Sequence, residues 1–323
     1  MSIADRLTLE PEVAAALAAG RPVVALESTL ISHGLPPPDN IAVARASEAA
    51  VREAGAVPAT VAIRDGRFLV GLSDDDLLAL GTARPGAVVK AARPNLGAAL
   101  ARAGWAATTV SATMIAADAA GIGVFATGGI GGVHRGALGG PGRAGDPNGR
   151  RPSLDISSDL EELARTPMLV VCAGPKAILD LPLTLEYLET RGVPVVALGQ
   201  GEMPGFYSRS SGVPAPVSVA DETELLDLAL THLGLGLGSS VVACVPVPAA
   251  AALSLEAARA AVERATTEAE AAGLHGPAVT PWLLARIAEL TDGASLRANT
   301  ALIENDARVA GRLAVGLVEA ARS

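Results

Sequence analysis

Lysine is nearly missing from this chain of 323 residues. Of its 25 lysine and arginine side chains only Lys90 and Lys176 are lysine. Where a plain positive charge suffices, the protein uses arginine. A position that keeps lysine is therefore expected to need an amine that can lose its proton and attack carbon, which a guanidinium cannot do. Chance survival in a lysine-poor composition is the competing reading. Aromatic residues are scarce too, at 2%, so the core must be built from Ala, Val, Leu and Ile. The two cysteines, Cys172 and Cys244, lie in separate apolar runs, and they read as buried thiols of a reducing compartment, not a disulfide or a metal pair. No basic block interrupts a net charge of −9, which argues against a nucleic acid polymer as partner but leaves room for an anionic small molecule.

Export and membrane signals are also missing. The opening MSIADRLTLEPEV carries acids where a signal peptide needs an apolar core, so a cytoplasmic location is expected. No Asp, Glu, Lys or Arg occurs between Asp227 and Glu256, but glycines and prolines divide that stretch. It fits a helix end, a strand VVACVPV and a turn, not a membrane span.

What is present alternates short apolar runs with Ala/Glu/Arg-rich helical stretches, the pattern of an α/β protein. At this length one domain over 1–323 is the default, a three-layer α/β/α architecture with a mostly parallel or mixed central sheet. Residues 168–180, MLVVCAGPKAILD, organise it: a β-branched run, a Gly-Pro break, and Lys176 opening a helix over 177–191. PVVALES at 22–28 ends at Glu27, AVVKA at 87–91 carries Lys90, and GVFAT at 123–127 empties into TGGIGGVHRG. Residues 106–120 read as one buried helix, and Asp155–Leu163 as another with Ser157 or Ser158 as cap. Residues 137–153, rich in Gly, Pro and Arg, read as an exposed inserted loop.

Glu27, Lys90, Thr127 with its glycines, and Lys176 thus all fall at strand C-terminal ends, the edge where open α/β sheets bind ligands. The glycine turn can present N–H groups to a phosphate, because glycines allow close approach and positive φ. A tight strand-to-helix turn explains it equally well. It is neither a Walker loop nor GxGxxG, since His134 stands at the last glycine position. His134 and Arg135 are able to hold phosphate. Asp155 and Asp159, at a helix start, serve either as capping acids or as a carboxylate for a hard cation. Glu27, if desolvated, has the raised pKa of a general acid.

At these residues the chain resembles the pseudouridine-5′-phosphate glycosidase family, also called indigoidine synthase A-like. The stretches that carry the likeness include VALESTLISHG, GAVPATVAIRDGRFLVGLS, ATTVSATMIAADAAGIGVFATGGIGGVHRGA, DISSDLEELARTPMLVVCAGPKAILD, FYSRSSG and SLRANTALIENDAR, in order over nearly the whole chain. The resemblance implies cleavage of the C–C bond between ribose C1′ and uracil C5 of pseudouridine 5′-phosphate, giving ribose 5-phosphate and uracil, with Mn²⁺ and as a homotrimer. By position it implies Lys176 as nucleophile and Glu27 as proton donor. Lys90, Val110, Thr127, His134, Ser157, Ser158, Asp159 and Asn299 become substrate contacts, and Asp155 the metal ligand. The chemistry agrees: uracil leaving through carbon needs an electron sink, which a lysine adduct at C1′ supplies. Burial beside cationic Lys90 is expected to lower the pKa of Lys176.

The chain departs from the family pattern in three places. AARPNL follows Lys90 where a Ser-Arg-Arg-Asp-Leu-like segment is typical, the loop between His134 and Asp155 is longer, and Asp306 stands where a second Asn is common. These leave Lys176 untouched and the preferred base open. Three other readings remain: a C-glycosynthase joining ribose 5-phosphate to another ring, a nucleotide-binding oxidoreductase or binding module, and a class I aldolase-like enzyme.

Overall fold

The computed structural model describes residues 2–84, 86–138, 153–274 and 279–322. The chain opens with β1 (Leu7–Leu9), α1 (Pro11–Ala18), β2 (Val23–Leu26), α2 (Asp39–Glu53), the hairpin of β3 (Val57–Arg64) and β4 (Arg67–Val70), and α3 (Asp74–Gly81). There follow β5 (Val89–Ala91), α4 (Leu96–Leu100), β6 (Trp105–Thr108), α5 (Val110–Ala119), β7 (Val124–Ala126), β8 (Val133–His134), α6 (Ser158–Leu163), β9 (Leu169–Cys172), β10 (Leu179–Asp180) and α7 (Leu181–Thr190). The last part holds β11 (Val195–Leu198), β12 (Val217–Val219), α8 (Glu222–Gly234), β13 (Val241–Cys244), α9 (Leu255–Ala271), α10 (Val279–Leu290) and α11 (Ala294–Arg322).

The strands β3, β2, β7, β9, β13, β11 and β12 run parallel in that order. The far half of β3 leaves this parallel sheet and pairs antiparallel with both β4 and β6, so the sheet becomes mixed at that end. Both faces are covered, and the strand sequences show it. In β2, Val23 and Ala25 point into one core with α1 and α5, while Val24 and Leu26 point into the other with α2, α8 and α11. An all-apolar strand is what two covered faces require. The three-layer expectation therefore holds, with the sheet mixed at one end.

A third apolar cluster lies beyond the strand ends. Ala258, Val262 and Ala265 of α9, Leu283 and Ile287 of α10, and Ala298 and Leu302 of α11 pack with Phe206 and Tyr207. These helices roof the edge that Glu27, Thr127 and Lys176 occupy.

Local rules placed many elements correctly. Ser73 caps α3, its hydroxyl accepting from the Asp76 N–H at 3.1 Å. Neither Asp39 nor Asn40, the cap candidates in the sequence, caps α2: Asp39 is its first residue after Pro38, and the buried Asn40 amide donates to the Ile31 and Gly81 carbonyls at 2.7 and 3.0 Å. Residues 106–120 are not one helix, because Trp105–Thr108 is strand β6 and α5 starts at Val110. An apolar stretch without periodicity does not reveal where a buried strand passes into a buried helix. The helix placed after Lys176 starts later. Leu179 and Asp180 first pair with His134 and Val133, and α7 then opens with Pro182 in its first turn and the Asp180 carboxylate accepting the Leu183 N–H. Likewise α6 begins at Ser158, so only Asp159, and not Asp155, belongs to it. The loop expected over 137–153 lies outside the described residues from 139 to 152, and its stem is closed by Leu154 N–H donating to Ala137 O at 3.0 Å.

Cys172 and Cys244 are free, buried and face one another in register on β9 and β13. A hydrogen bond to Cys172 and burial push the Cys244 thiol well up. Near them Asp306 of α11 is 0% exposed, and neither carboxylate oxygen has a hydrogen-bond partner among the described residues. Burial, with the nearby Cys172, pushes its pKa well above the ordinary 3.8. The folded state therefore holds this proton more tightly than the unfolded chain. Below pH 3.8 the group costs nothing, and its cost rises as pH climbs toward the raised folded value. Asp306→Asn is expected to gain stability over wild type as pH rises from 5 to 8, by up to about 1.4 kcal/mol per unit. Urea unfolding at several pH values measures the gap, and a gap that does not change with pH contradicts the assignment.

Candidate active site

Three parallel neighbours set the geometry. In register, Leu26 of β2 stands beside Ala126 of β7, and Ala126 beside Val171 of β9. The residues leaving these strands, Glu27, Thr127 and the turn to Lys176, are therefore delivered side by side. Gly174 makes the last turn possible with φ +91°, a backbone state L side chains rarely adopt. Lys176 is then pinned through its main chain, its N–H donating to Ile130 O at 3.1 Å and its carbonyl accepting from Leu179 at 2.9 Å.

A pocket of about 260 Å³ opens at this edge, lined by Glu27, Lys90, Thr127, Lys176 and Asn299. Five of the residues singled out from sequence thus meet in one cavity. Thr29, His33 and Phe206 also line it. Sequence reading did not single them out, because nothing local to Thr29, His33 or Phe206 marks a residue that another part of the chain brings to the pocket.

Glu27 is half-buried, not sealed from water, so desolvation is not its dominant feature. Hydroxyls hold it instead: Thr127 donates to Oε1, and Thr29 Oγ1 lies 2.6 Å from Oε2. Thr29 Oγ1 is also 2.7 Å from Thr108 O. A hydroxyl has one proton and these are two acceptors. Thr29 therefore donates to either the Glu27 carboxyl or the Thr108 carbonyl at any moment, and Thr127 holds the other Glu27 oxygen.

Lys90 is held below its ordinary range. Burial of its ammonium is the larger cause and the Lys176 charge the next, with Glu27 and Asp159 opposing. Lys90 is nonetheless an exposed residue at the rim of the pocket it lines. His33 is pulled down by burial and by the Lys90 charge, and its Nδ1 is 2.7 Å from Ser32 Oγ.

The glycine turn differs from its expected role. Gly128, Gly129, Gly131 and Gly132 are absent from the positive-φ residues, and close approach is what requires them. A Cβ on Gly128 would lie 2.7 Å from Ile303 Cγ1, and one on Gly131 would lie 2.1 Å from Ser157 Oγ. Nor is the turn an open phosphate nest. Gly129 N–H donates to Thr127 Oγ1, Ile130 N–H to Gly174 O, and Gly131 N–H to Asp159 Oδ2. The anion this turn receives is the carboxylate of Asp159, only 5% exposed, whose other oxygen accepts the Ser111 N–H at the start of α5 at 3.0 Å.

The remaining sequence candidates form two groups beside the pocket. Val110 opens α5. Ser157 caps α6, its hydroxyl accepting from Asp159 N–H at 3.2 Å, and Ser158 Oγ lies 3.4 Å from Ser111 Oγ. Two helix N-termini thus converge near Lys90, an arrangement that favours negative charge. His134 and Asp155 stand apart from the pocket lining, paired with each other: His134 N–H donates to Asp155 O at 3.0 Å, and the ring Nδ1 is 3.8 Å from Asp155 Oδ2. Among the described residues no three His, Cys, Asp or Glu side chains gather as a metal cluster. The exposed Asp155 carboxylate with the His134 ring fits a cation held by few protein donors and completed by water.

An α/β sheet with a lysine and a glutamate lining one pocket at the C-terminal ends of its parallel strands has the arrangement of an enzyme site for a small molecule. Residues 12–316 match the family described as indigoidine synthase A like protein, and the chain belongs to that family. It is 52% identical over 311 residues, 96% of its length and 99% of the relative's, to a pseudouridine-5′-phosphate glycosidase of Solibacter usitatus. A protein of the same name from Jannaschia sp. is 51% identical over 96% of this chain and 98% of its own. Among solved structures, the prealnumycin C-glycosynthase AlnA in complex with ribulose 5-phosphate superposes with a TM-score of 0.85 at 37% identity, covering 98% of each chain. An indigoidine synthase A-like protein from Thermotoga maritima gives 0.81 at 32%, covering 97% of this chain and 96% of its own.

With only two lysines, the site can be titrated directly. Reductive ¹³C-methylation should give one side-chain signal for each lysine. The Lys90 signal is expected to titrate below the ordinary 10.5. In Lys176→Met it should move up but not return fully, because burial outweighs the neighbouring charge. A Lys90 signal at its ordinary value in wild type contradicts this electrostatic picture.

Proposed function

We propose that the chain is a pseudouridine-5′-phosphate glycosidase, cleaving its substrate reversibly to ribose 5-phosphate and uracil. The observation that carries the reading is Lys176 and Glu27 lining one pocket, in a chain half identical to several proteins of that name. One proton transfer prepares both groups: the Lys176 ammonium gives a proton to Glu27, leaving an amine to attack and an acid to donate. The amine attacks ribose C1′ and the ring oxygen leaves with a proton. Electrons from nitrogen then form the C=N bond of a Schiff base, as in lysine-dependent C–C cleavage, with the C1′–C5 pair passing to uracil. Glu27 protonates C5, with Thr127 and Thr29 fixing its oxygens. Water then hydrolyses the adduct and restores the amine.

Lys90, the N-termini of α5 and α6, Val110, Ser157, Ser158 and His134 support the phosphate end, with Asp159 ordering both helices. Asn299 faces the base. Asp155, beside His134, is the residue that would hold Mn²⁺, which when bound supplies positive charge next to the phosphate. A single domain over 1–323, a homotrimer and a cytoplasmic location belong to the same proposal. Among the described residues no helix is long and apolar enough to cross a membrane. A second reading, a C-glycosynthase, is favoured by the likeness to the prealnumycin enzyme.

Uracil release from pseudouridine 5′-phosphate, followed by chromatography, tests the activity. Lys176→Arg keeps the charge and loses the nucleophile, so turnover should fall roughly 10³-fold or more with the fold retained. Near-normal turnover in that variant contradicts the mechanism. Thr127→Val should lower kcat by roughly ten-fold through loss of one hydrogen bond to the acid, with KM little changed. A change confined to KM would remove Thr127 from the chemical step.

A further inference from the structure

The stretch FYSRSSG at 206–212 takes no part in the chemistry above, yet its first residue lines the pocket of Glu27 and Lys176. Phe206 stands at φ +66°, a state that Asp65 and Asp292 also adopt and that short polar side chains tolerate. An aromatic side chain there is an outlier, and such a backbone persists only where its surroundings fix it. They do so here: Gly205 N–H donates to Ser208 O at 3.0 Å, and Leu253 N–H to Tyr207 O at 2.8 Å. The result is a ring turned inward. Gly205 and Ser208 line a separate cavity beside the start of α9, so the main chain of the turn borders that side. The Phe206 ring goes the other way, its Cε2 lying 2.6 Å from where a Cβ on Gly129 would stand, and Gly129 lines the same pocket as Phe206. Tyr207 meets the ring edge-on, with centroids 4.9 Å apart and planes at 81°, which sets its orientation. Phe206 packs with Leu302 and Ile303 of α11, and Ile303 borders the pocket one turn from Asn299. The ring thus shares the side that Asn299 occupies. Phe68 and Phe125, the other two phenylalanines, lie in the main core.

We infer that Phe206 is the specificity-determining residue of the base end: its ring is the wall on which a flat, unsaturated base stacks. It selects such a ring over a puckered, saturated one with the same edge groups. The inference rests on the glycosidase reading above and adds what the site recognises in the leaving group. Stacking reads planarity, because every unsaturated base has a π-face, and it leaves the donors and acceptors of the ring edge to be read by a side-chain amide such as Asn299. A leucine at 206 would line the pocket with as little polarity, but it offers no π-face. The positive φ is then explained by function: it is the backbone state that carries an aromatic ring from the α9 side of the turn to the pocket.

The probes are uracil, 5,6-dihydrouracil and ribose 5-phosphate, each titrated alone into the full chain by calorimetry. Wild type is expected to bind uracil about ten-fold more tightly than its saturated analogue. Phe206→Leu should bring that ratio to within about two-fold by weakening uracil, with ribose 5-phosphate affinity changed by less than about two-fold. Phe206→Met repeats the test with a side chain that fills irregular space more easily. Three results overturn the inference: no preference for uracil in wild type, a preference that survives in either variant, or loss of ribose 5-phosphate binding in both, which makes Phe206 a packing residue. Wild-type cleavage of pseudouridine 5′-phosphate reports separately. Cleavage without the uracil preference removes the role of Phe206 alone, and a preference lost in the variants without wild-type cleavage removes the glycosidase reading alone.

Discussion

The in-register parallel pairing of β2, β7 and β9 is the constraint on which everything else depends. It is why Glu27, Thr127 and Lys176, separated by up to 149 positions in sequence, leave the sheet as neighbours. The pairing is held by strands buried on both faces, so a slip by one residue would exchange the two cores and carry the acid and the amine out of alignment. The site's precision is thus inherited from hydrophobic packing and not from the loops that line it.

Close packing continues into the glycine turn. Each glycine there lets another element come near: Ile303 at Gly128, Phe206 at Gly129, Ser157 at Gly131, Thr184 at Gly132. The turn draws α11, the 206–212 loop, α6 and α7 onto one point, and Asp159 spans its N–H and that of α5. A buried acid at this junction places negative charge near Lys90, partly offsetting the effect of burial and of Lys176. Two amines, Lys90 and Lys176, and Glu27 thus line the pocket, and the Asp159 charge acts on Lys90 from beside it.

Much of this was legible from sequence for identifiable reasons. A near-total preference for arginine made Lys90 and Lys176 conspicuous, and both face the pocket. Strand ends were readable because doubly buried strands are continuous apolar runs ended by Gly, Pro or charge. The boundary between β6 and α5 was not readable, since both elements are buried and neither has a polar face. The roles of the glycines and of Asp159 were not readable either. Which partner approaches a glycine, and whether an anion in a nest is a ligand or a side chain, are tertiary facts that spacing does not encode. Asp306 was marked only as a departure from a pattern; its burial without a partner needed the packing of α11 on β7 and β9.

The central claim is that one particular amine becomes bonded to ribose C1′. Borohydride reduction in the presence of ribose 5-phosphate, followed by peptide mass mapping, tests it directly, because only two lysine side chains compete. The account predicts a stable sugar phosphate adduct on the peptide containing Lys176, lost in Lys176→Arg. An adduct on Lys90, or none on either lysine while uracil is still released, would contradict it.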